Sequence, residues 1–354
     1  MSIPTEPIGS IPRSAGLLQA IKAFRDGDIT EAQLNEAYEV AIQDTVRCLE
    51  DTGSPVISDG EQRKSSFATY PLEGLANLAA DGISIPFEDG HCRQLPRLIS
   101  GPFRYGKNAV DYLKMAQQYA KVPVKQAVIS ASALSLLYPE QGLPNYSRER
   151  FINDLIGEVA NDIRLCLDAG AYKVQMDFTE GRLAVKLGPS KGLLRQFIDL
   201  NNQVLEQFSS EERKRIGIHT CPGGDQDSTH SADVDYGELL PDLFQLKANN
   251  FYVQMASEKD QRRVLSIIKQ HLKPEQRVFV GVINVIDNAV ETPETVRDRV
   301  LQAAEFIPIQ QLGTTDDCGY SPFEDDTSTG REIALAKIKA RIDGTRLAAE
   351  ILEK

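Results

Sequence analysis

FINDLIGEVANDIRLCLDAGAYKVQMD, residues 151–177, carries one long amphipathic run followed by one short strand-like run. Phe151, Leu155, Val159, Ile163 and Cys166 recur at three- and four-residue spacing, which puts them on one helix face turned toward a core. Residues 172–177 then read as a strand. The same alternation extends in both directions. Strand-like runs fall at 7–10, 55–58, 126–130, 172–177, 216–220, 250–254, 278–283 and 311–315, and most are followed by a helical pattern. Residues 294–304 form one such helix, with Thr292 as its N-cap and Pro293 at its first position. Residues 333–351 form the last, with Leu335, Ile338, Ile342 and Leu347 along or near one stripe.

Strands alternating with helices make right-handed βαβ units and a parallel sheet. Eight such units predict an α/β fold of the (β/α)8 TIM-barrel type, with its active site at the C-terminal ends of the strands. Ile8-Gly9-Ser10 lacks the GxGxxG spacing, so a dinucleotide-binding open sheet is set aside. Two stretches exceed a minimal barrel. Residues 30–52 add an extra N-terminal helix, and 66–107 form a long excursion after the second strand, placed to shape or cover a site. No domain boundary or internal repeat appears, so residues 1–354 read as a single barrel domain.

Composition narrows the function. The chain has 354 residues, 41% hydrophobic and 25% charged, with a formal net charge of −12. That acidity, with no long basic run, argues against a nucleic-acid partner. No stretch approaches the ~18 apolar residues of a membrane span. The start, MSIPTEPIGS, has neither a basic nor an apolar signal segment. Five cysteines without regular spacing read as reduced thiols, and a cytoplasmic location is expected.

One constellation carries chemistry. His219 and Cys221 lie two apart at the end of the run 216–220, so both side chains point to one side of an extended strand. Cys318, in Asp316-Asp317-Cys318-Gly319, follows the last strand, and a barrel brings distant strand ends to one centre. One imidazole and two thiolates suit Zn2+, and three protein ligands with an open position mark a catalytic site. The plainer reading is that a His-x-Cys pair and a lone cysteine are packing residues.

Beyond this, Ile8-Gly9-Ser10-Ile11-Pro12-Arg13, Ser58-Asp59-Gly60-Glu61, Val174-Gln175-Met176-Asp177, His219-x-Cys221 and Asp317-Cys318-Gly319 occur in an order that resembles the C-terminal catalytic barrel of the cobalamin-independent methionine synthase family. The likeness covers nearly the whole chain and is to the short, single-barrel members. It implies zinc-dependent methyl transfer to a small thiol, typically homocysteine, from an alkyl donor such as a methylated folate. It also implies that Ser10, Glu61 and Asp177 grip the amino-acid part of the thiol. Carboxylates facing an ammonium group make charge-assisted hydrogen bonds.

Three departures from the family pattern stand out. Gln254 occupies the position of a glutamate that serves as a further metal ligand. Asp-Glu-Pro becomes Asp177-Phe178-Thr179, and a cationic segment after the last cysteine becomes Gly319-Tyr320-Ser321-Pro322-Phe323. Aromatic residues at a pocket rim suggest a less polar partner. Other zinc–thiolate reactions, such as thiol addition to an epoxide or carbon–sulfur lyase chemistry, are therefore alternatives, as is a non-catalytic relative. His230 is a candidate proton shuttle, with a surface histidine as the plainer reading. Asp317 or its neighbour Asp316 is a candidate to orient His219 through its second ring nitrogen. His91 and Tyr105, in the excursion, are placed to close over a ligand, and His271 needs only a helix-end interaction.

Overall fold

The computed structural model describes residues 3–188, 190–224 and 228–353. Helices α1 (Ala15–Asp26) and α2 (Glu31–Asp51) follow the N-terminal segment. The excursion carries four short strands, β1 (Leu78–Ala79), β2 (Ser84–Pro86), β3 (Cys92–Gln94) and β4 (Arg97–Leu98), and leads into α3 (Ala109–Gln117). The strand–helix alternation then becomes regular. Strand β5 (Gln126–Ile129) is followed by α4 (Ala131–Ser135) and α5 (Arg148–Asp168), and β6 (Val174–Asp177) by α6 (Glu180–Leu187) and α7 (Gly192–Leu205). Four more strands complete the series: β7 (Ile216–Thr220), β8 (Asn250–Val253), β9 (Arg277–Ile283) and β10 (Leu312–Asp316).

Strands β5 to β10 form one parallel sheet in sequence order. Two N-terminal segments close it. Thr314 N donates to Pro4 O at 2.9 Å and Glu6 N to Thr314 O at 3.0 Å, along the β10 edge. Along the β5 edge, Ile57 N reaches Pro123 O at 3.1 Å and Lys125 N reaches Ile57 O at 2.8 Å. The two segments meet through Ile11 N to Gly60 O at 3.2 Å and the Ser58 hydroxyl to Gly9 O at 2.6 Å. The ring is the (β/α)8 barrel that the strand–helix alternation predicts. The runs 7–10 and 55–58 are nonetheless not regular strands. Each edge pairs through one bridge, at Thr5 and Ile57. Pro4, Pro7, Pro12 and Pro55 lack the N–H that a continuous ladder needs.

The helix that opened the sequence reading packs as its periodicity requires. Ser147 caps α5 by accepting from Arg150 N at 3.3 Å. Phe151, Leu155, Val159, Ile163 and Cys166 are all buried. Each such apolar side chain contributes about 1.5–3 kcal/mol by leaving water. The central strands β5 to β8 are buried on both faces, as a parallel sheet wrapped by helices must be. The extra helix falls where expected, as α2, and the excursion forms two antiparallel strand pairs, β1 with β4 and β2 with β3. No described helix is long and apolar enough to cross a membrane.

Candidate functional site

A cavity of about 470 Å³ opens at the C-terminal ends of the barrel strands. His219 arrives from β7, Cys221 from the residue after it, and Cys318 from the turn after β10. Their ligand atoms lie within 4.8 Å of one another, all three residues are buried, and together they are fit to hold one metal ion. The two sulfurs stand 2.9 Å apart. Both His219 ring nitrogens are buried with no hydrogen-bond partner among the described residues. A buried imidazole left wholly unpaired is costly, and a cation between nitrogen and sulfurs removes that cost. Burial opposes ionisation of Cys221, but the Cys318 thiol and His219 outweigh it and hold Cys221 low. Cys318 is pushed up, by burial first and then by Cys221. A bound cation would favour both thiolates.

Ser10, Glu61 and Asp177 line the same cavity. Ser10 Oγ accepts from Ser321 N at 3.2 Å. Gly319 lets it in, because a Cβ there would meet Ser10 Oγ at 2.2 Å. Glu61 sits at φ +54°, a left-handed conformation that costs a non-glycine residue about 1–2 kcal/mol. Arg13 holds that turn. Its guanidinium donates to Glu61 O at 2.9 Å, Lys64 O at 2.6 Å and Phe323 O at 3.0 Å, tying the first strand segment to the two loops that flank it. Lys64 Nζ donates to Glu61 Oε1 at 3.0 Å and Ala127 O at 3.0 Å. Burial alone would depress Lys64, but Glu61 and Asp59 overcome it and push the ammonium up to about 12. Burial pushes Asp177 up to about 7 against the opposing pull of His219, and Glu61 adds repulsion. The cavity wall thus carries more carboxylate than the buried cation beside it neutralises.

Other expected residues are placed differently. Gln254 is buried but does not line the cavity. Its Oε1 accepts from Arg182 at 2.9 Å and its Nε2 donates to Ser257 Oγ at 2.6 Å. Arg182 also binds Glu258 and the carbonyls of Ala232 and Val234, so Gln254 belongs to an arginine-centred network. Asp317 does not reach His219. Its Oδ1 accepts from Met255 N at 2.8 Å and Ala256 N at 2.9 Å, and its Oδ2 from Ser257 N at 2.8 Å and Ser257 Oγ at 2.6 Å. Gly281 leaves room for this carboxylate, since a Cβ would meet Asp317 Oδ1 at 1.9 Å. Asp316 is instead paired with Arg341 and the Tyr320 hydroxyl.

His230 does line the cavity, edge-on to the Phe87 ring of the excursion at 5.8 Å. Burial pushes its pKa down to about 4, so it is a neutral imidazole at pH 7. From the excursion, Phe87 and residues 92–95 face the cavity, whereas His91 stacks on Phe87 at 4.7 Å and Tyr105 is half-buried against Phe103. Of the aromatic departures, Phe323 lies at the rim. Phe178 and Tyr320 do not line the cavity, and Phe178 packs over Gly181 in the core. Sequence reasoning missed the parts played by Arg13, Lys64 and Arg182, and the presence of Glu180 in the cavity wall. Glu180, three residues beyond Asp177, carried a usable signal, whereas a cation's burial is invisible in sequence.

Fold and site together define a barrel enzyme with a metal-competent mouth. The family described as cobalamin-independent synthase, catalytic domain, matches residues 3–329, and the chain belongs to that family. A methionine synthase of Sulfolobus acidocaldarius is 23% identical over 99% of this chain and 94% of its own. A 5-methyltetrahydropteroyltriglutamate–homocysteine methyltransferase of Saccharophagus degradans is 22% identical over 90% of this chain and 40% of its own. Among solved structures, a B12-independent methionine synthase from Shewanella in complex with selenomethionine superposes with a TM-score of 0.78 at 18% identity, covering 100% of this chain and 99% of that one. A second, from Listeria monocytogenes and described as a putative vitamin-B12-independent methionine synthase, gives 0.74 at 21% identity over 99% of both. These superpositions show the same barrel.

Proposed function

We propose that residues 1–354 form one barrel domain that makes methionine from homocysteine and a methylated folate, with Zn2+ held by His219, Cys221 and Cys318. The observation that carries this reading is the meeting of those three ligand atoms, within 4.8 Å, in a cavity that also displays Ser10, Glu61 and Asp177. Zinc, when bound, keeps the substrate sulfur a thiolate at neutral pH. Glu61 and Asp177 receive the substrate ammonium, Lys64 holds Glu61 in place through their ion pair, and Ser10 hydrogen-bonds the amino-acid end. The substrate sulfur, having lost its proton, attacks the donor's methyl carbon in line. The S–C bond forms as the C–N bond to the folate breaks, and the departing folate nitrogen takes up a proton. The Phe87 and Phe323 rings limit access of water to the cavity. The selenomethionine of the similar Shewanella structure is the selenium analogue of this product. Five free cysteines fit a reducing, cytosolic setting.

The test is direct. Purified protein with homocysteine and 5-methyltetrahydropteroyltriglutamate is expected to form methionine, to stop when a chelator removes its metal, and to resume when zinc is restored. A metal-bound protein that forms none sinks the reading. The aromatic rim of Phe67, Phe87 and Phe323 favours one second reading, alkylation of a thiol by an apolar electrophile, and the same assay separates the two.

Gln254 makes a further prediction. Its side chain is committed to Arg182 and Ser257, so Gln254→Glu is expected to pair with Arg182 and leave zinc affinity within about threefold of wild type, as befits a change of less than 1 kcal/mol. A large gain in affinity, measured by competition with a chromogenic chelator, would place residue 254 among the ligands.

A further inference from the structure

Cys221 and Cys318 follow strands that are not neighbours, since β8 and β9 stand between β7 and β10 in the sheet. Metal ligands must nonetheless sit within about 0.2 Å of the right distance. Arg182, on α6, lies between the segments that carry the two thiols. It is buried and does not line the cavity, so it touches no substrate held there. Its Nη2 donates to Ala232 O at 3.3 Å and Val234 O at 2.8 Å, in the loop that runs on from Cys221. Its Nη1 donates to Gln254 Oε1 at 2.9 Å and Glu258 Oε1 at 2.9 Å, at the two ends of the turn after β8. Asp317, bonded covalently to Cys318, grips the middle of that same turn at residues 255–257.

Both sides of this connection are continuous. On the Cys221 side, Pro222 O accepts from His230 N at 2.8 Å and Ser231 N at 3.2 Å, so the residue after the thiol moves with residues 230–234. Lys186, one turn further along α6, adds bonds to His230 O at 3.1 Å and Asp233 at 2.9 Å. On the Cys318 side, Gln254 Nε2 donates to Ser257 Oγ at 2.6 Å, and Ser257 Oγ donates to Asp317 Oδ2 at 2.6 Å. Every hydrogen bond from Arg182 through Gln254 and Ser257 to Asp317 therefore runs in one direction, and each proton has its own acceptor. The two loops also meet at their tips, where Ser228 Oγ donates to Asp326 Oδ2 at 3.1 Å. A planar guanidinium with four acceptors fixes a separation in a way that a flexible ammonium does not.

We propose that Arg182 is a positioning residue for the metal, a clasp that joins the loop after Cys221 to the turn held by Asp317 and so sets the separation of the two sulfurs. The inference rests on the assignment of the metal to His219, Cys221 and Cys318. Without the guanidinium, the Cys221 loop keeps its tip contact at Asp326 but loses two carbonyl anchors, and the Asp317 turn loses its tie to α6. The ligand spacing then loosens, which lowers affinity and changes the coordination geometry.

Co2+ is the probe, because it takes the same nitrogen and sulfur donors as Zn2+ and its visible absorption reports the geometry of those donors. Arg182→Lys replaces the fork with one compact ammonium. Its Co2+ affinity is expected to fall about 10- to 100-fold, the usual effect of losing a group that orients metal ligands, with a shift in the sulfur-to-cobalt and ligand-field bands. Arg182→Met combined with Glu258→Met removes both charges of the ion pair at similar volume, a replacement that is often neutral for stability, and should show the same loss. Weaker binding and an altered spectrum in a variant whose denaturation midpoint matches wild type is the supporting result. Unchanged affinity and spectrum in either variant overturn the clasp, as does a lower midpoint with the wild-type spectrum, which marks a purely structural arginine. A wild type that takes up neither Co2+ nor Zn2+ overturns the metal assignment, and the clasp with it.

Discussion

Cys318→Ser is expected to strip the purified protein of its metal and to cost more than ~100-fold in turnover. Even the outer partners of metal ligands are worth about 10- to 100-fold in affinity or activity, and Cys318 is one of three ligand atoms gathered within 4.8 Å. A serine oxygen is nearly isosteric with sulfur but is not a thiolate at neutral pH, so the change removes a charge and a soft donor while barely altering shape. Metal analysis beside a denaturation curve checks it. Wild type should carry about one ion per chain and the variant almost none, with the barrel still folding cooperatively. A variant that retains stoichiometric metal would remove Cys318 from the ligand set. A wild type with no affinity for zinc would return the His-x-Cys pair to its plainer reading as packing residues.

The neighbouring residue should behave in the opposite way. Asp317→Ala is expected to cost about 3–5 kcal/mol of stability, because it orphans two buried backbone N–H groups, a part-buried third and the Ser257 hydroxyl, each unmade bond costing about 1 kcal/mol or more. The carboxylate staples the turn after β8, at residues 255–257, to the turn that carries Cys318. Burial pushes it up to about 6 even with four donors opposing that rise, so this is a tightly committed group with no lone pair left for His219. Denaturant midpoints report the loss. Asp317→Asn, which keeps one acceptor oxygen, should lose about half as much and stay folded enough to assay for metal. If Asp317 instead acted on His219, both variants would lose metal or turnover with their stability intact.

These two residues are adjacent in sequence and separate in role, which shows where sequence reading stops. Periodicity placed Phe151, Leu155, Val159, Ile163 and Cys166 on a buried face, and α5 buries them all. Local alternation likewise announced the run of strands from β5 to β10. Pairing at the first two strand segments was less legible, since prolines left only bridges where ladders were expected. At the site, the convergence of His219, Cys221 and Cys318 followed from knowing that barrel strand ends meet. The routing of Asp317 and Gln254 did not, because each is decided by the nearest unsatisfied donor in space.

By itself, then, the sequence determined the barrel, the depth of its helices and the identity of the three residues suited to a soft metal. Those properties depend on local spacing and on donor chemistry. Only the tertiary structure decided that Asp317 staples a turn, that Gln254 answers to Arg182, that Lys64 lies buried among carboxylates and that Glu180 faces the cavity. Buried polar groups take whichever partner the fold brings within about 3 Å, and that partner is set by packing of segments far apart in the chain.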